Sequence, residues 1–458
     1  MTAADLLSSS SPQAPADVIV TAAAVGADGV AAAAAGAREA GRQWARRPGP
    51  ERATVLRLAA AELERRGAEV EDLIVREVGK PRLEARGEVG RGVAILSYYA
   101  QQVLEPAGEI YPPSSSGLLY TERRPLGVAG LITPWNFPLA IPLWKAAPAL
   151  AAGNAVLLKP STQALACGLL LAEVLSAQLP DGLFTVLPGG RETAEAIIGE
   201  ADAVSFTGST EVGKQVARAA AARGVPVQAE MGGQNPAVVL PDADPESTAR
   251  MLVGAAMAYA GQKCTATRRI ITVGSSTALV EALEGALVTA APGDPSQESV
   301  IVGPVITDDA QQMVNAAIDE ARRSGATLLG TGADVNGDGW YVPPTVVSGL
   351  PADHRLLQEE TFGPFAAVLE AGSVEQAVAF ANAVRYGLAS SVHGRDMKSI
   401  LPIVAELETG MIKVNAPTTG ADFYLPFGGE KDSSIGPREQ GKAGIAFYSS
   451  THTVTISA

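Results

Sequence analysis

The sequence between residues 126 and 222 repeats one local pattern four times. Each repeat is a short run of apolar and β-branched residues, followed by a turn signal and then by a run with helical spacing. The four repeats are VAGLITP with LAIPLWKAAPAL, AVLLKPS with ALACGLLLAEVLSAQL, FTVLPGG with TAEAIIGE, and AVSFTGS with EVGKQVARAAAA. Strand-then-helix units at this density predict a parallel, doubly wound α/β sheet.

A second series of strand-like runs begins near residue 235, with NPAVVLP, RIITVG and PPTVVSGL. The chain has 458 residues, which is long for a single core, so two or three domains are expected. The sequence therefore predicts a second α/β domain, although no linker separates the two. Residues 29–75 and 83–103 precede both series and have helical spacing.

The charge balance limits the class of partner. Lys and Arg number 35 against 49 Asp and Glu, a formal net charge of -14, which argues against nucleic acid. The chain has two cysteines and no Cys/His cluster with zinc spacing, so neither a disulfide framework nor a metal is expected. The N-terminus lacks a basic signal-peptide region, and no apolar stretch approaches the roughly 20 residues that span a bilayer. We expect a cytoplasmic protein without membrane contact.

The two cysteines lie in different surroundings. Cys167 stands in the apolar run ALACGLLLAEVL, whereas Cys264 stands in AGQKCTA among small and polar residues. An accessible thiolate at Cys264 could act as a nucleophile if an acid–base group served a later step. Histidine is the usual base, but none of the three histidines lies in a glycine-rich or strand-end motif: His354, His393 and His452. A Cys–His dyad stays open as an alternative with little support.

Two other polar residues follow predicted strands. Glu230 in VQAEMGGQNP ends an apolar run beside two glycines, where burial would raise its pKa and suit it to general-base catalysis. Asn136 in TPWNFP lies between two aromatic residues and two prolines, so its rigid amide could stabilise an oxyanion. Taken alone, Glu230 is also consistent with a structural strand-end carboxylate, and Asn136 with a turn residue.

The loop SFTGSTEVGKQ is one residue short of a nucleotide-binding P-loop. Gln215 stands where that motif needs a Ser or Thr for magnesium, which argues against a nucleotide hydrolase. Ser209 and Thr210 could cap a helix opening at Glu211, whose first amides would face a phosphate. A plain capped turn explains the same residues.

Lys159 in LLKPS ends another apolar strand. It would deliver an ammonium group to the carboxyl edge of the sheet, where a ribose or phosphate binds in such folds. The alternative is a solvated lysine that protects the strand end from aggregation.

Seven motifs occur in order: PWNFP, LLKPS, FTGSTEVG, EMGGQNP, AGQKCTA, EETFGPF and LPFGGEKDSS. Together they resemble the NAD(P)-dependent aldehyde dehydrogenase superfamily, from about residue 25 to the C-terminus. The resemblance implies that Cys264 attacks the aldehyde to form a thiohemiacetal. It implies that Asn136 and the backbone N–H of Cys264 hold the oxyanion, and that Glu230 activates the water that hydrolyses the resulting thioester. We also expect Lys159 to be one of the catalytic residues.

The resemblance also implies a dinucleotide cofactor, NADP or NAD. Thr162 stands where many NAD-preferring members have a glutamate, and the lack of that carboxylate beside Lys159 favours NADP. Glu360, rather than the adjacent Glu359, would clamp the nicotinamide ribose together with Phe362. The cofactor-binding residues implied are Thr133, Pro134, Trp135, Lys159, Ser161, Thr162, Gly208, Ser209, Gly213, Glu360 and Phe362.

The substrate is less constrained. The segments NAPTTGADFYLPFGG and SSIGPREQGKAGIAFYSS resemble bacterial α-ketoglutaric semialdehyde (2,5-dioxopentanoate) dehydrogenases. A substrate carboxylate would need an arginine, and the candidates are Arg268, Arg269 and Arg438. An apolar tunnel for an aromatic or aliphatic aldehyde is the alternative. The substrate-pocket residues expected are Phe137, Trp144, Thr265 and Phe423.

Two kinds of relative with other functions fit the sequence less well. A CoA-acylating relative transfers the thioester to another nucleophile and often lacks the water-activating glutamate, so Glu230 argues against it. A non-catalytic relative used for binding would be expected to have lost Cys264, Glu230 or Asn136, and all three are present.

The resemblance implies the domain organisation. It assigns residues 1–107 and 126–232 to a cofactor-binding domain and residues 233–430 to a catalytic domain. Residues 108–125 and 445–458 are expected to form a β hairpin for oligomerisation, giving a homo-dimer or homo-tetramer.

Overall fold

A computed structural model describes residues 6–330 and 337–457. Residues 1–5 of the predicted cofactor-binding domain, residues 331–336 of the predicted catalytic domain and residue 458 lie outside the described residues. The strands are β1 Leu6–Ser11, β2 Ala14–Ala23, β3 Ile110–Tyr111, β4 Gly117–Pro125, β5 Val128–Ile132, β6 Ala155–Lys159, β7 Phe184–Val186, β8 Ala203–Thr207, β9 Val227–Glu230, β10 Asn235–Val239, β11 Thr267–Val273, β12 Thr327–Gly330, β13 Thr345–Ser348, β14 Phe365–Ala371, β15 Tyr386–Gly387, β16 Ala389–His393, β17 Met411–Val414, β18 Glu430–Lys431, β19 Ser434–Ile435 and β20 Ser449–Ser457. The α-helices are α1 Ala27–Ala45, α2 Gly49–Arg65, α3 Gly67–Val78, α4 Arg82–Gln102, α5 Ala140–Ala152, α6 Leu165–Ser176, α7 Arg191–Glu200, α8 Thr210–Ala222, α9 Pro245–Met257, α10 Thr277–Leu287, α11 Asp308–Arg323, α12 Arg355–Gln358, α13 Val374–Asn382, α14 Met397–Glu406 and α15 Gly441–Phe447.

The four sequence repeats form a six-stranded sheet with the order β19-β9-β8-β5-β6-β7. Five strands are parallel, and the short β19 is added antiparallel to β9. The central strands are buried along their whole length, as their continuous apolar runs require for a sheet covered on both faces. The loops after β5, β6, β8 and β9 therefore meet at one edge of this sheet.

The second strand series forms a seven-stranded sheet with the order β12-β13-β14-β11-β10-β16-β17. All neighbouring pairs are parallel except β12 with β13. The chain passes directly from the carboxyl end of β9 to the amino end of β10. The carboxyl edge of the first sheet consequently adjoins the amino edge of the second, and the predicted fold class of two doubly wound sheets is confirmed.

A separate three-stranded sheet has the order β20-β4-β3. β4 and β20 pair over nine positions, from Gly117 with Ser457 to Pro125 with Ser449. The segment expected to start at residue 445 begins inside α15, because its first residues, up to Phe447, continue that helix. An N-terminal hairpin of β1 and β2, which the sequence analysis did not predict, packs beside α3 and α6.

Helix α4 carries a buried carboxylate that links it to the start of α5. Glu88 on this helix forms a fully buried ion pair with Lys80 and accepts the backbone N–H groups of Leu139 (3.0 Å) and Ala140 (2.9 Å). These amides belong to the first turn of α5, where a carboxylate is favourable. None of the described helices is long and apolar enough to cross a membrane.

Candidate active site

Cys264 lies on a tight loop between α9 and β11, where the two large sheets meet. Tyr259 and Ala260 adopt positive φ angles of 58° and 50°, and Gly261 follows at 65°. A Cβ atom at Gly261 would lie 2.1 Å from the carbonyl oxygen of Gly363, so only glycine fits there. Two non-glycine residues in the left-handed region cost on the order of 1–2 kcal/mol each, so the surrounding structure must hold this loop in place.

Three side chains provide that support. Asn235 donates a hydrogen bond of 2.7 Å from Nδ2 to the carbonyl oxygen of Cys264. Gln262 is fully buried, and its Oε1 atom accepts the backbone N–H of Ile306 at 2.9 Å. The guanidinium of Arg268 donates to the carbonyl oxygen of Gly261. The position of the Cys264 backbone is therefore fixed from both sides.

Two cavities meet at the Cys264 side chain. We call them the inner cavity, of about 250 Å³, and the charged cavity, of about 290 Å³. The inner cavity is lined by Pro134, Trp135, Asn136, Ile141, Thr207, Gly208, Ser209, Met231, Gly232, Cys264, Glu360 and Phe362. The charged cavity is lined by Glu84, Gly87, Glu88, Arg91, Phe137, Trp144, Lys263, Cys264, Thr265, Thr419, Gly420, Ala421 and Phe427. Among the described residues, Cys264 alone lines both cavities, so molecules bound in the two would meet at its sulfur.

The electrostatic surroundings disfavour the thiolate. Burial raises the pKa of Cys264 to about 12, and the negative charges of Glu360 and Glu230 add to the effect. A charged sulfur would have to form in a poorly solvated site between two carboxylates.

Asn136 is buried beside the nucleophile loop. Its Nδ2 atom donates a hydrogen bond of 2.9 Å to the carbonyl oxygen of Gln262. An amide nitrogen has two N–H donors, so this contact fixes the side chain and leaves one donor for another acceptor. Asn136 therefore lines the inner cavity with a fixed amide and one N–H available.

The charge of Glu230 raises the pKa of the Cys264 thiol. Among the described residues that line the two cavities, however, Glu230 is absent. Its Oε2 atom accepts a hydrogen bond of 2.5 Å from the hydroxyl of Ser434, while Oε1 is buried and has no hydrogen-bond partner in the part of the chain that the structure describes. Burial and the nearby charge of Glu439 raise the pKa of Glu230 well above its usual value. The carboxylate is thus poised to take up a proton but is held toward β19.

Glu439 lies in a buried cluster behind this site. It accepts a hydrogen bond of 2.7 Å from the indole N–H of Trp144 and forms a buried ion pair with Lys145. Since Trp144 lines the charged cavity, this hydrogen bond fixes the orientation of that wall.

A larger cleft of about 990 Å³ opens from the inner cavity along the carboxyl edge of the first sheet. It is lined by the predicted residues Thr133, Pro134, Trp135, Lys159, Ser161, Thr162 and Gly208. Among the described residues, Lys159 donates only to the backbone carbonyls of Pro160 (3.0 Å) and Gly189 (3.2 Å), and burial lowers its pKa to about 8. An anionic or hydroxyl-bearing ligand in the cleft would therefore find a lysine without a carboxylate partner.

The glycine-rich loop differs in detail from its sequence prediction. Helix α8 begins at Thr210 rather than Glu211, and Ser209 is its N-cap residue without a side-chain capping bond. Gly213 does not line the cleft: a Cβ atom there would lie 2.5 Å from the sulfur of Met231, so this glycine allows α8 to pack closely. Lys214 pairs with Asp432 at 2.8 Å, which directs it away from the phosphate role of a P-loop lysine.

Several buried polar atoms around the inner cavity have no hydrogen-bond partner within residues 6–330 and 337–457. They are the hydroxyls of Thr133 and Thr207 and the Oε1 atom of Glu360. Burial raises the pKa of Glu360 to about 7. A Cβ atom at Gly232 would lie 2.0 Å from Oε2 of Glu360, so the glycine makes room for this carboxylate. Orphaned groups of this kind fit a polar ligand such as the dinucleotide that the sequence resemblance implies.

The substrate-pocket predictions fall into two groups. Phe137, Trp144 and Thr265 line the charged cavity as expected from the sequence, but Phe423 does not. The ring of Phe423 packs edge-on against Tyr98 and Tyr424, and Phe427 lines the cavity instead. The Phe423 assignment is therefore corrected to Phe427.

The three arginines proposed for a substrate carboxylate do not line the charged cavity. Arg268 and Arg269 are buried and donate to backbone carbonyls, Arg268 to Gly363 (2.6 Å) and Arg269 to Phe380 (2.7 Å). Arg438 pairs with Glu430 at 2.5 Å. All three are bonded to other parts of the protein, so the structure gives no support to their role as ligands of a substrate carboxylate.

The sequence analysis missed one wall of the charged cavity. Glu84, Gly87, Glu88 and Arg91 line it from a single face of α4, at spacings of three and four residues. The polar and glycine residues at these spacings on a partly buried helix were the available signal, but they resemble a solvated face.

The three histidines lie elsewhere. His393 is buried in β16, where burial lowers its pKa to about 4, His354 caps α12, and His452 is exposed on β20. None of them lines either cavity, which argues against the Cys–His alternative. Within the described ranges, no group of three or more His, Cys, Asp or Glu side chains is placed to hold a metal ion.

Comparisons with known proteins agree across the chain. A sequence profile described as the aldehyde dehydrogenase family matches residues 3–454. An α-ketoglutaric semialdehyde dehydrogenase of Bacillus subtilis is 38% identical over 443 residues, covering 94% of this chain and 90% of the relative. An α-ketoglutarate semialdehyde dehydrogenase of Haloferax volcanii is 38% identical over 458 residues, covering 97% and 94%.

A solved structure shares the fold. The NAD-dependent aldehyde dehydrogenase of Sinorhizobium meliloti superimposes with a TM-score of 0.95 at 32% identity, covering 99% of this chain and 92% of that chain. The order of elements and the two sheets described above are therefore common to both proteins.

Proposed function

The chain belongs to the aldehyde dehydrogenase family and oxidises an aldehyde with a nicotinamide dinucleotide, and we propose that Cys264, Asn136 and Glu230 carry out this reaction. The supporting observation is that Cys264 lines both the inner cavity and the charged cavity. An aldehyde in the charged cavity and a dinucleotide reaching the inner cavity would meet at its sulfur.

In the proposed first step, the Cys264 thiol releases its proton to solvent, and the resulting thiolate sulfur attacks the aldehyde carbon. A C–S bond forms, and the carbonyl π electrons move to the oxygen. The free N–H of Asn136 and the backbone N–H of Cys264 donate to this oxyanion. The bound dinucleotide supplies the acceptor for the hydride that leaves the thiohemiacetal carbon. A thioester on Cys264 results.

In the second step, Glu230 removes a proton from the water that attacks the thioester. The C–S bond then breaks, the acid leaves and the sulfur is regenerated. The unpartnered Oε1 of Glu230 is the atom available to accept this proton, because Oε2 is bonded to Ser434. The raised pKa makes the carboxylate a stronger base than a solvated glutamate. The presence of Glu230 favours hydrolysis over acyl transfer to CoA.

We infer that the dinucleotide lies along the cleft and reaches the inner cavity. Lys159, Ser161 and Thr162 would contact the adenosine ribose, Gly208 and Ser209 the pyrophosphate, and Glu360 with Phe362 the nicotinamide ribose. Because no carboxylate stands at residue 162, NADP should be accepted as well as NAD, with NADP favoured. Thr162→Glu should lower kcat/KM for NADP at least 10-fold while changing that for NAD less. An unchanged NADP to NAD ratio would contradict this cofactor assignment.

We propose α-ketoglutaric semialdehyde as the substrate. The names of the Bacillus and Haloferax relatives support this choice, as does the presence of a cationic side chain in the charged cavity. The test measures kcat/KM for α-ketoglutaric semialdehyde, succinic semialdehyde, benzaldehyde and hexanal with each dinucleotide. The keto-acid aldehyde should have the highest value.

An aromatic or aliphatic aldehyde is the second candidate. Phe137, Trp144 and Phe427 give the charged cavity an apolar side that such a substrate could contact. A higher kcat/KM for benzaldehyde or hexanal in the same assay would favour this candidate and overturn the first.

We propose that the first sheet with residues 126–232 forms the cofactor-binding domain and that the second sheet lies in a catalytic domain within 233–430. The three-stranded sheet would mediate association into a homo-dimer or homo-tetramer. Its register supports this assignment, because Ile110, Leu118, Tyr120, Val454 and Ile456 pair directly or alternate along one face.

A further inference from the structure

We propose that Arg91 binds the carboxylate at the far end of the substrate and so selects acidic aldehydes. This inference rests on the proposed function, because it assumes that Cys264 attacks an aldehyde bound in the charged cavity. It replaces the three arginines that the sequence suggested with a residue that lines the same cavity as the nucleophile.

The charge balance of the cavity points to Arg91. Of its four ionisable wall residues apart from Cys264, Glu84 is paired with Lys263 at 2.8 Å and Glu88 is paired with the buried Lys80. Within the described part of the chain, Arg91 has no carboxylate within ion-pair distance. Its positive charge is therefore the one in this wall that an incoming anion could neutralise.

The guanidinium of Arg91 is also held in position. One of its nitrogens donates to the backbone carbonyl of Ala421, which also lines the cavity. A guanidinium has five N–H donors in a planar fork, so this contact leaves donors for a carboxylate in a defined orientation. An arginine fixed at one end loses little additional side-chain entropy when it binds a ligand.

The neighbouring backbone leaves room for this ligand. Gly87 is one helical turn before Arg91 and lines the same cavity, and a Cβ atom built at Gly87 would have no atom within 4 Å apart from the local backbone of its helix, so the space beside it is open. Thr419 and Gly420 also line the cavity, beside Ala421. A short chain with an aldehyde at one end and a carboxylate at the other matches a cavity that has Cys264 and Arg91 in its lining.

Lys263 is the rival cation. It adjoins Cys264 in the sequence and lines the same cavity, but its ammonium is already neutralised by Glu84. A substrate carboxylate would have to break this ion pair before it could bind there. Arg91 offers an anion a free positive charge without that cost.

The test compares kcat/KM for succinic semialdehyde with that for its uncharged amide, 4-oxobutanamide, in wild-type enzyme and variants. We expect Arg91→Gln to lower the ratio of the two values about 100-fold, mainly through KM for the charged aldehyde. Arg91→Lys should restore part of the ratio, because it keeps the charge but not the planar fork. Lys263→Gln should change the ratio much less than Arg91→Gln.

Arg86→Gln is the matched control, since Arg86 lies on the same helix and pairs at the surface with Glu71 and Glu298. It should leave the ratio unchanged. Equal losses for both aldehydes in Arg91→Gln would overturn the proposal, because they would show a structural role through Ala421. A preference for the charged aldehyde that persists in Arg91→Gln, or that is lost in Lys263→Gln instead, would also overturn it.

Different results would contradict the role of Arg91 and the proposed substrate. If the wild-type enzyme prefers acidic aldehydes and Arg91→Gln keeps this preference, the Arg91 assignment alone is wrong. If the wild-type enzyme prefers neutral aldehydes, both the proposed substrate and the role of Arg91 are wrong, while the roles of Cys264 and Glu230 are unaffected.

Discussion

The thiol of Cys264 lies in an environment that opposes its ionisation. The sequence could locate this residue, because its small polar neighbours differ from the apolar run around Cys167. It could not reveal the pKa of about 12, which depends on burial and on Glu360 and Glu230, residues 96 and 34 positions away. Similarly, Glu230 could be proposed from EMGG, but its hydrogen bond to Ser434 spans 204 residues.

The first prediction concerns the reactivity of the free thiol. Because the pKa of Cys264 is about 12, the rate of inactivation by iodoacetamide in the absence of cofactor should rise about 10-fold per pH unit from pH 7 to 10 without a plateau. Glu360→Gln should raise the rate at pH 8, since removing a negative charge lowers the thiol pKa. A plateau below pH 9 in the wild-type enzyme would contradict the prediction.

A second prediction concerns Ser434. Its hydroxyl donates to Glu230 and holds the pKa of that carboxylate down against burial and Glu439, so Ser434→Ala should raise this pKa further. Glu230 must be deprotonated to act as a base. The acidic limb of the deacylation rate should therefore move to higher pH, by about one unit if the bond contributes about 1.4 kcal/mol. Single-turnover measurements of the deacylation rate between pH 5 and 9 test this. An acidic limb at the same pH in Ser434→Ala would show that the Ser434 hydrogen bond does not determine the pKa of Glu230.

Helices α4 and α5 are connected through one buried ion pair, which joins Lys80 to Glu88. Lys80 and Glu88 are fully buried, and the Lys80 ammonium lies 3.8 Å from the ring centroid of Phe137. Glu88 in turn accepts two amides at the start of α5, three and four residues after Asn136. The helices were predictable from their spacing, but this link was not, because a single sequence does not show which charged residues on a helix are buried.

A third prediction follows for stability. Lys80→Met leaves the Glu88 carboxylate buried and uncompensated, and the apparent free energy of unfolding should fall by about 3–5 kcal/mol. Urea unfolding measures this loss, with Lys398→Met on the exposed face of α14 as the control. A loss below about 1 kcal/mol would show that Glu88 is stabilised by the α5 amides alone.

In the folded molecule, the carboxyl edge of the six-stranded sheet lies beside the amino edge of the seven-stranded sheet. The sequence predicted both sheets from their strand-then-helix repeats, and the family resemblance implied the hairpin in which β4 pairs with β20. It did not predict the N-terminal hairpin, the antiparallel addition of β19, or the charged cavity wall from α4. Those features depend on contacts between segments far apart in the chain, which local patterns do not report.

The fourth prediction concerns assembly. Leu118 and Ile456 are directly paired on one face of the three-stranded sheet and are 41% and 51% exposed. If this face is the interface, Ile456→Glu should shift the protein toward monomer in sedimentation velocity, because it buries an unpaired charge. Thr455→Glu places the same charge on the opposite face and should leave the assembly unchanged. Equal effects of the two substitutions would contradict the assignment.

The central claim is that a thioester forms on Cys264 and is hydrolysed with the help of Glu230. The most direct test mixes Glu230→Gln with aldehyde and NAD, quenches the reaction within seconds and measures the mass of the peptide that contains Cys264. The account predicts one equivalent of reduced dinucleotide per active site and a matching acyl mass on Cys264, with little further turnover. Full steady-state turnover with no acyl mass on that peptide would contradict it.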